Sequence, residues 1–180
     1  MDEKKLPQGK KTIGPLTGCM LEEALALVWE VFSDFESENL TQEALDEFWA
    51  RIDYEYMLQR AGDGEIRFWG AFDDDYLVGV CAMRDLSHIE LLYVDGAYHR
   101  QGIATNLLKH AFIDCKELDE TIHRVTVNAT PYSRPFFLKQ GFTATAAERK
   151  VDGLIVNTSS FVNPSLIQLA CQGTPVVLCD

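Results

Sequence analysis

Three apolar runs rich in aromatic residues follow one another in the middle of the chain, and they constrain its fold more than any other feature. They span residues 66–72, 76–84 and 88–94, and only three residues separate each run from the next. Short apolar runs bounded by turn residues such as Asp and Ser are typical of β-strands. Because turns this short join antiparallel neighbours, the sequence predicts a three-stranded antiparallel meander.

Helical patterns lie on both sides of this meander. Apolar residues recur at helical spacing over residues 21–32, 44–52 and 103–115, which predicts three amphipathic helices. Thr41 is a suitable N-cap for the second helix. A further strand over residues 124–129 follows the third helix, and a strand–helix–strand unit of this length implies a right-handed parallel crossover.

The remaining predicted elements are shorter. They are a first strand at residues 12–13 that ends at Gly14–Pro15, a helix over 132–140 that ends at Gly141, and strands over 142–148 and 154–162 joined by a turn at Asp152–Gly153. The predicted order is β-α-α-β-β-β-α-β-α-β-β. This order indicates an α/β (α+β-like) fold with a mixed, mainly antiparallel sheet flanked by helices.

The chain is long enough for one domain and offers no linker at which to divide it. It has 180 residues, of which 47% are hydrophobic, and a chain of this size buries about 70% of its surface on folding. We expect a disordered leader over residues 1–11, a folded domain over 12–162, and a C-terminal extension of uncertain structure over 163–180.

The charge of the chain limits the partners that it can bind. Sixteen basic and 28 acidic residues give a net charge of −12, and eleven of the acidic residues lie between residues 30 and 65, where only two are basic. An acidic protein is a poor ligand for nucleic acid, whose binding needs a basic surface. The sequence therefore favours neutral or cationic partners.

The cysteines and the hydropathy pattern predict a cytoplasmic protein without a membrane span. Five cysteines form an odd number, are widely spaced and contain no C-x-x-C pair, which is typical of reduced thiols. We expect Cys81 and Cys115 to be core residues rather than nucleophiles. No apolar run approaches the roughly 18 residues that a membrane helix needs, and no metal-ligand spacing is present.

The segment between the third central run and the long helix is the strongest candidate for a binding site. Residues 99–104 read HRQGIA, so a glycine lies just before a helix whose first N–H groups are free to bind an anion such as pyrophosphate. Taken alone, this pattern also fits simple packing. The chain contains neither a P-loop nor a complete dinucleotide-binding fingerprint.

Two segments together resemble the GNAT-type family of N-acetyltransferases. Residues 98–108 read YHRQGIATNLL, as in the acetyl-CoA-binding motif of that family. Its second motif and closing hairpin are resembled by residues 127–133 (VNATPYS), 135–142 (PFFLKQGF) and 148–156. The element order agrees from residue 12 to residue 162. The resemblance therefore implies an acetyltransferase domain that uses acetyl-CoA as co-substrate and needs no metal.

The resemblance also implies which residues bind acetyl-CoA. The strand backbone that would hold the pantetheine arm belongs to Leu92, Tyr93 and Val94. The backbone N–H groups that would hold the pyrophosphate belong to His99, Arg100, Gln101, Gly102, Ile103, Ala104 and Thr105. The side chains expected along the pantetheine channel are Asn128, Ser133 and Phe137. The alternative interpretations are a strand-end residue for Asn128 and a core aromatic residue for Phe137.

The resemblance gives two candidates for the general base and leaves the general acid open. His88 and Glu90 lie two residues apart on one predicted strand and so share a face. In an apolar strand, desolvation would raise the pKa of Glu90, whereas the pKa of His88 is already near neutrality. The alternative interpretation is that His88 merely opens the strand and that Glu90 faces solvent or a salt bridge. Many members carry a tyrosine acid where this chain has Phe137, so Tyr132 or Ser133 would have to replace it, or the thiolate would leave unassisted.

The expected activity is transfer of an acetyl group from acetyl-CoA to a primary amine by direct attack in a ternary complex. The acceptor, a small molecule or a peptide, is not fixed by the sequence. The acidic stretch over residues 30–65 predicts a cationic acceptor, and solvated helix faces are the alternative interpretation. Phe137 also motivates a second hypothesis, an acyl-CoA-binding module with weak or no turnover. Dimers are common in the family, so a homodimer stays open.

Overall fold

The three central runs form the meander that the sequence predicted. The structure, a computed structural model, describes residues 9–38, 40–151 and 154–161. Strand β2 spans Ile66–Asp73, β3 spans Tyr76–Arg84 and β4 spans His88–Val94, and each pairs antiparallel with the next. The first turn is tighter than predicted, because Asp73 belongs to β2 and only two residues connect it to β3.

The other elements complete a mixed sheet with helices on both faces. The helices are α1 (Leu21–Phe35), α2 (Gln42–Arg51), α3 (Tyr54–Gly62), α4 (Ile103–Leu118) and α5 (Arg134–Lys139). The remaining strands are β1 (Lys11–Pro15), β5 (Val125–Ala129), β6 (Thr143–Ala144), β7 (Arg149–Val151) and β8 (Leu154–Phe161). The sheet order is β1-β2-β3-β4-β5-β8-β6, with β7 paired to β8. Only β4 and β5 pair in parallel among the described strands, so the predicted fold class is confirmed.

The predicted element order omitted one helix. The sequence analysis placed a single helix between residue 41 and the glycines near residue 62, but α2 ends at Arg51 and α3 starts at Tyr54. Asp53 separates them because its extended backbone stops α2 while its carboxylate accepts a hydrogen bond from the N–H of Tyr56, 3.0 Å away. This is an N-cap, whereas Thr41 caps α2 as predicted.

The first strand is longer than predicted. β1 starts at Lys11, inside the expected leader, and includes Gly14 and Pro15, which were expected to end it. Pro15 is tolerated because β1 is an edge strand, where a missing N–H interrupts no second ladder. Residues 1–8 and the predicted extension over 163–180 lie outside the described residues.

The C-terminal strands are divided differently from the prediction. In place of one strand over 142–148 the structure has the short β6 and then β7, and β8 pairs with β5, β6 and β7. The predicted turn at Asp152–Gly153 lies outside the described residues. Gly141 has a φ of +88° and follows Gln140, the C-cap of α5, which confirms its predicted role as the glycine that ends that helix.

The sheet separates two hydrophobic layers. One layer packs α4 against the sheet through residues such as Leu107 and Ala111, both fully buried. The other packs α1, α2 and α3, where the rings of Phe32 and Phe48 stack 3.6 Å apart between their centroids. Cys81 and Cys115 belong to the first layer. Burial raises the pKa of both thiols, that of Cys115 to about 12, so their predicted role as core residues is confirmed.

Strands β4 and β5 part soon after they meet. Their parallel pairing consists of two pairs, His88 with Thr126 and Ile89 with Val127. Beyond Ile89 the backbone of β4 pairs with none of the described residues on the β5 side, and the sheet opens there. A β-bulge lies at the same place, because Ile89 and Leu91 pair with consecutive residues of β3 and Glu90 has no partner residue on that strand.

Candidate functional site

A cavity of about 330 Å³ lies where β4 and β5 part. Its floor is β4 from His88 to Tyr93, and its far wall is formed by Asn128 on β5 and Ser133 and Phe137 at α5. The α1–α3 side contributes Glu36, Phe48, Arg51, Tyr56 and Arg60. Of the three residues that the sequence analysis assigned to the pantetheine arm, Leu92 and Tyr93 line the cavity, whereas Val94 is outside its lining.

The loop between β4 and α4 has the backbone shape of an anion-binding loop. Arg100 and Gly102 are left-handed, with φ of +62° and +79°. The N–H groups of Ile103, Ala104 and Thr105 start α4, whose first intrahelical bond runs from Asn106 N to Gly102 O. These three donors have no acceptor within the helix, so they suit a phosphate group.

His99 contributes to this loop through its side chain rather than its backbone. Its N–H donates to Gly96 O at 3.2 Å within the preceding turn, so the predicted row of phosphate-binding N–H groups narrows to residues after His99. Its ring Nε2 lies 2.8 Å from Val94 O, and the ring itself packs on the ring of Phe35. The histidine thereby ties the loop to the end of β4.

Two further contacts fix the same loop. Tyr98 is buried and donates from its hydroxyl to the fully buried carboxylate of Asp73 at 3.1 Å; burial, this bond and nearby acidic groups raise the pKa of Tyr98 to about 12. Lys11 Nζ donates to Gln101 Oε1 at 2.6 Å. The side chain of Ile103 is buried in the core, so this residue offers only its backbone to a ligand.

His88 lines the cavity with a lowered pKa. Burial is the main cause, followed by the positive charge of Arg84, against which Glu90 and Asp85 raise the value. Its Nδ1 lies 2.7 Å from the hydroxyl of Thr126 on β5. The imidazole is therefore neutral near pH 7, and Nε2 is the nitrogen that makes no hydrogen bond to the described residues.

Glu90 also lines the cavity, but its surroundings differ from the expected apolar ones. Its carboxylate is 10% exposed and makes two ion pairs, with Arg84 Nη1 at 3.3 Å and with Arg60 Nη1 at 3.7 Å. The structure agrees with the alternative interpretation of Glu90 as a salt-bridged residue, because two guanidinium groups lie against its carboxylate. The pattern of β4 does not reveal these partners, since Arg60 belongs to α3 and Arg84 to β3.

The far wall of the cavity gathers the predicted channel residues. Asn128 accepts a hydrogen bond at Oδ1 from the Thr158 hydroxyl at 2.9 Å, which leaves its amide nitrogen as a donor for a ligand. The Ser133 hydroxyl is bonded within a turn to Thr130. Phe137 is both a wall residue and a core residue, 4% exposed and packed on Phe142.

Tyr132 lies beside the cavity rather than in its lining. Its ring is half exposed and stacks on Phe35 at 5.5 Å. Partial burial and the negative charge of Glu36 raise its pKa, which Arg100 opposes. The phenol therefore carries its proton at neutral pH.

The sequence analysis missed Glu36 at the end of α1. The Glu36 carboxyl lines the cavity and is bonded to the hydroxyls of Tyr93 and Thr130. One of its oxygens, Oε2, is buried and has no hydrogen-bond partner among the described residues. Desolvation raises its pKa above 4.5, although the two hydroxyls lower it. Desolvation and Glu36 in turn raise the pKa of Tyr93. Within the acidic stretch, no local pattern distinguishes Glu36 from its neighbours.

The acidic and basic residues of the stretch 30–65 lie on different sides of the protein. Ten of its eleven acidic residues are exposed and outside the cavity, and Glu36 is the exception. Its two basic residues, Arg51 and Arg60, both line the cavity. The net charge of the stretch is thus a property of its outer surface, whereas its cavity side carries guanidinium groups.

Two other kinds of site were searched for in the described part of the chain. No group of three or more His, Cys, Asp and Glu side chains there is arranged to hold a metal ion. None of the helices described above has the length and apolar character needed to cross a bilayer.

Comparison with known sequences gives one family and one curated relative. The acetyltransferase (GNAT) domain family matches residues 36–158. The uncharacterized N-acetyltransferase YafP of Escherichia coli (strain K12) is 31% identical over 101 residues, which is 56% of this chain. The match spans 61% of that relative, less than two thirds of its length.

Solved structures share the fold at low sequence identity. The PaiA N-acetyltransferase of Thermoplasma acidophilum, in complex with coenzyme A, superposes with a TM-score of 0.69 at 19% identity and covers 84% of this chain and 99% of its own. The spermidine N-acetyltransferase of Vibrio cholerae, in complex with CoA and spermine, gives 0.58 at 15% identity, covering 88% and 98%. At these identities the likeness concerns the fold alone.

Proposed function

The chain belongs to the acetyltransferase (GNAT) family, and from that premise we propose that it transfers an acetyl group from acetyl-CoA to a primary amine. The observation that carries the proposal is the parting of β4 and β5 after two residue pairs. It leaves β4 from His88 to Tyr93 beside a cavity, and the left-handed loop of Arg100 and Gly102 follows the end of that strand. A thioester on an extended arm needs such a slot, with phosphate donors at one end.

Acetyl-CoA is proposed to bind along this slot. The N–H groups at the start of α4 would hold the pyrophosphate, and the backbone of β4 from Leu92 to Val94 would pair with the pantetheine amides. Asn128 would donate to the arm from the opposite strand. An amide of β4 near Leu92 would polarise the thioester carbonyl, as an oxyanion hole does.

The proposed chemistry is direct attack. The amine nitrogen attacks the thioester carbon, the C–N bond forms, and the C–S bond breaks to release CoA as thiolate. The proton lost from the amine goes to His88 Nε2, directly or through a water molecule. Glu90 is the second candidate base from the sequence analysis, but its two arginine contacts favour His88 for this role.

A general acid is not required by this proposal. Phe137 has no proton to donate, and free thiols titrate near about 8.5, so a thiolate is a tolerable leaving group. Tyr132 keeps its proton at neutral pH and lies beside the cavity, which supports it as a donor. If a Tyr132→Phe variant retains full kcat, the thiolate leaves without the help of a general acid.

The pH profile tests the role of His88. Because its pKa lies below 6.5, the neutral form that accepts a proton persists to acidic pH. We expect the acid limb of kcat/KM to fall below pH 6.5 in the wild-type protein. His88→Gln should lower kcat by about 10²–10⁴-fold, the usual contribution of a general base. An unchanged kcat and acid limb in this variant would contradict the assignment.

The activity itself is tested by CoA release across a panel of primary amines, with Glu90→Gln measured beside His88→Gln. Turnover of at least one amine supports the enzyme. Phe137 is buried and has no acidic group that could protonate the leaving thiolate, which favours a second candidate, an acyl-CoA-binding module. Binding of acetyl-CoA without CoA release from any amine would support that candidate instead. A cytoplasmic location and a homodimer stay predictions from the sequence.

A further inference from the structure

The cavity contains more guanidinium groups than its chemistry with acetyl-CoA requires. Arg51, Arg60 and Arg84 all line it, against two carboxylates, Glu36 and Glu90. Glu36 contacts Tyr93, three residues along β4 from Glu90, so about 10 Å of strand separates the two ends. Of these two cavity carboxylates, Glu90 is the one that pairs with Arg60 and Arg84 in the described part of the chain.

Glu90 uses only some of the N–H donor groups of Arg60 and Arg84. One of its oxygens lies 3.7 Å from Arg60 Nη1 and the other 3.3 Å from Arg84 Nη1. The Nε atoms are paired with Glu65 at 3.4 Å and with Asp85 at 3.5 Å. All these contacts use Nε or Nη1, so among the described residues neither Nη2 group has a polar partner.

The two outer carboxylates neutralise the arginines weakly. The side chains of Glu65 and Asp85 are 57% and 72% exposed, and exposed ion pairs are screened by solvent. Arg60 is the opposite case, since its side chain is 9% exposed and its guanidinium also lies 5.3 Å from the Tyr56 ring centroid. Arg60 Nη2 is not among the fully buried atoms without a partner, so it stays accessible from the cavity, where a ligand acceptor can reach it.

These contacts point to the acceptor substrate. We propose that the acceptor is a primary amine that also carries a carboxylate, and that the carboxylate binds to the free donors of Arg60 and Arg84. Guanidinium groups match the planar, two-oxygen shape of a carboxylate. The substrate carboxylate and the Glu90 carboxylate would then share the two arginines beside His88, and the amine of the substrate would point to the thioester. This inference rests on the proposed acetyl transfer and specifies its substrate class.

The proposal replaces the cationic acceptor that the acidic stretch predicted. The acidic side chains of that stretch are exposed on the outside, apart from Glu36, and its two arginines face inward. Long-range attraction by the outer charge is screened beyond about 10 Å at 0.1 M salt. The groups inside the cavity therefore decide which acceptor is retained.

Matched pairs of acceptors test the inference. Each pair is an amino acid and its carboxamide, with the amine and carboxylate separated by one to five carbons, and a polyamine is added for comparison. We expect at least one free acid to exceed its carboxamide by about tenfold or more in kcat/KM, as expected for losing a charge-assisted bond. Equal values for acid and carboxamide in every pair, or a polyamine as the best acceptor, would overturn the proposal.

Substitutions locate the site. Arg84→Gln should reduce the preference for acid over carboxamide towards unity, and Arg84→Lys should retain part of it. The matched control is Arg124→Gln, which changes an exposed arginine outside the cavity and should leave the preference intact. If the preference for acid over carboxamide is unchanged in Arg84→Gln, the assignment is wrong. If the preference is lost equally in Arg124→Gln, it depends on the overall charge of the protein and not on the cavity site, which also contradicts the assignment.

Failure of this proposal is distinguishable from failure of the proposed function. If acetyl-CoA raises the melting temperature and neutral amines release CoA, the enzyme is active whatever the acceptor panel gives. If acetyl-CoA binds and no amine, acid or carboxamide releases CoA, the acetyl transfer on which the inference rests is wrong.

Discussion

At the scale of single residues, Glu36 combines a structural cost with a place in the site. It directly follows α1, and its backbone N–H still donates to Phe32 O at 2.9 Å. Its side chain enters the cavity, where the hydroxyls of Tyr93 and Thr130 bond the carboxyl. Because Oε2 is buried with no partner in the part of the chain that the structure describes, the charged form is poorly solvated, and desolvation is the main cause of the raised pKa.

Stability as a function of pH tests this account of Glu36. A folded-state pKa above 4.5 means that the folded state keeps a proton that the unfolded state has lost, so stability falls as pH rises from 4.5 through the raised pKa. Glu36→Gln removes this loss and keeps an oxygen for the two hydroxyls. We expect a higher melting temperature than wild type at pH 7 and little difference below pH 4.5.

The control is Glu22→Gln, since Glu22 is an exposed carboxylate on the first turn of the same helix. If thermal scans give Glu36→Gln and Glu22→Gln the same dependence on pH, the buried carboxyl has no special role in stability.

At the scale of elements, the loop before α4 depends on backbone conformation. Gly102 has a φ of +79°, and a Cβ placed there would meet only Asn106 Nδ2, at 3.9 Å. Space therefore does not exclude a side chain at Gly102, but the left-handed conformation disfavours one. Arg100 adopts a similar φ without that freedom, and such strain is typical of functional loops.

A Gly102→Ala variant should weaken acetyl-CoA binding. A left-handed alanine costs roughly 1–2 kcal/mol, which corresponds to an increase in Kd of about 5- to 30-fold if the strain is relieved by distortion of the loop. Titration calorimetry measures this Kd. Gly62→Ala is the matched control, because Gly62 lies in α3, has no positive φ and has nothing within 4 Å of its Cβ position. Equal Kd values for both variants would contradict the phosphate-binding role of the loop.

The bulge at Glu90 explains why the side chains of β4 do not alternate regularly between the two faces of the sheet. Ile89 packs in the layer of α4, whereas Leu91, two residues later, packs in the layer of α1. In a regular strand these two residues would share a face. The prediction that His88 and Glu90 meet nevertheless agrees with the structure, because both line the same cavity.

At the scale of the whole molecule, the open junction of β4 and β5 is the weak point of the sheet. Two residue pairs join the halves of the sheet there, whereas β2 and β3 share eight pairs. A ligand that bonds to β4 on one side and to β5 on the other would bridge the gap. Acetyl-CoA is therefore expected to stabilise the global fold and not only the loop that it contacts.

A thermal-shift measurement tests this expectation. At a concentration of 100 times its Kd, a ligand stabilises the folded state by about 2.7 kcal/mol, and 1 kcal/mol corresponds to roughly 2–4 °C for a domain of this size. We expect acetyl-CoA to raise Tm by about 5–11 °C. Acetyl phosphate at the same concentration lacks the nucleotide and the arm and should give no comparable shift, and a null result with acetyl-CoA would contradict the proposed binding slot.

The sequence by itself determined most of the elements and the cofactor motif. The meander, the caps at Thr41 and Gly141, and the loop from His99 to Gly102 are local features, in which propensity and periodicity act over a few neighbouring residues. The tertiary structure alone decided the charges inside the cavity. Arg60 and Glu36 come from separate helices, and they meet the strand residues Glu90 and Tyr93 only through packing across about 30 to 57 positions of sequence. Because Coulomb interactions and desolvation depend on distance and burial rather than sequence order, the local pattern could not predict the arginine-lined site.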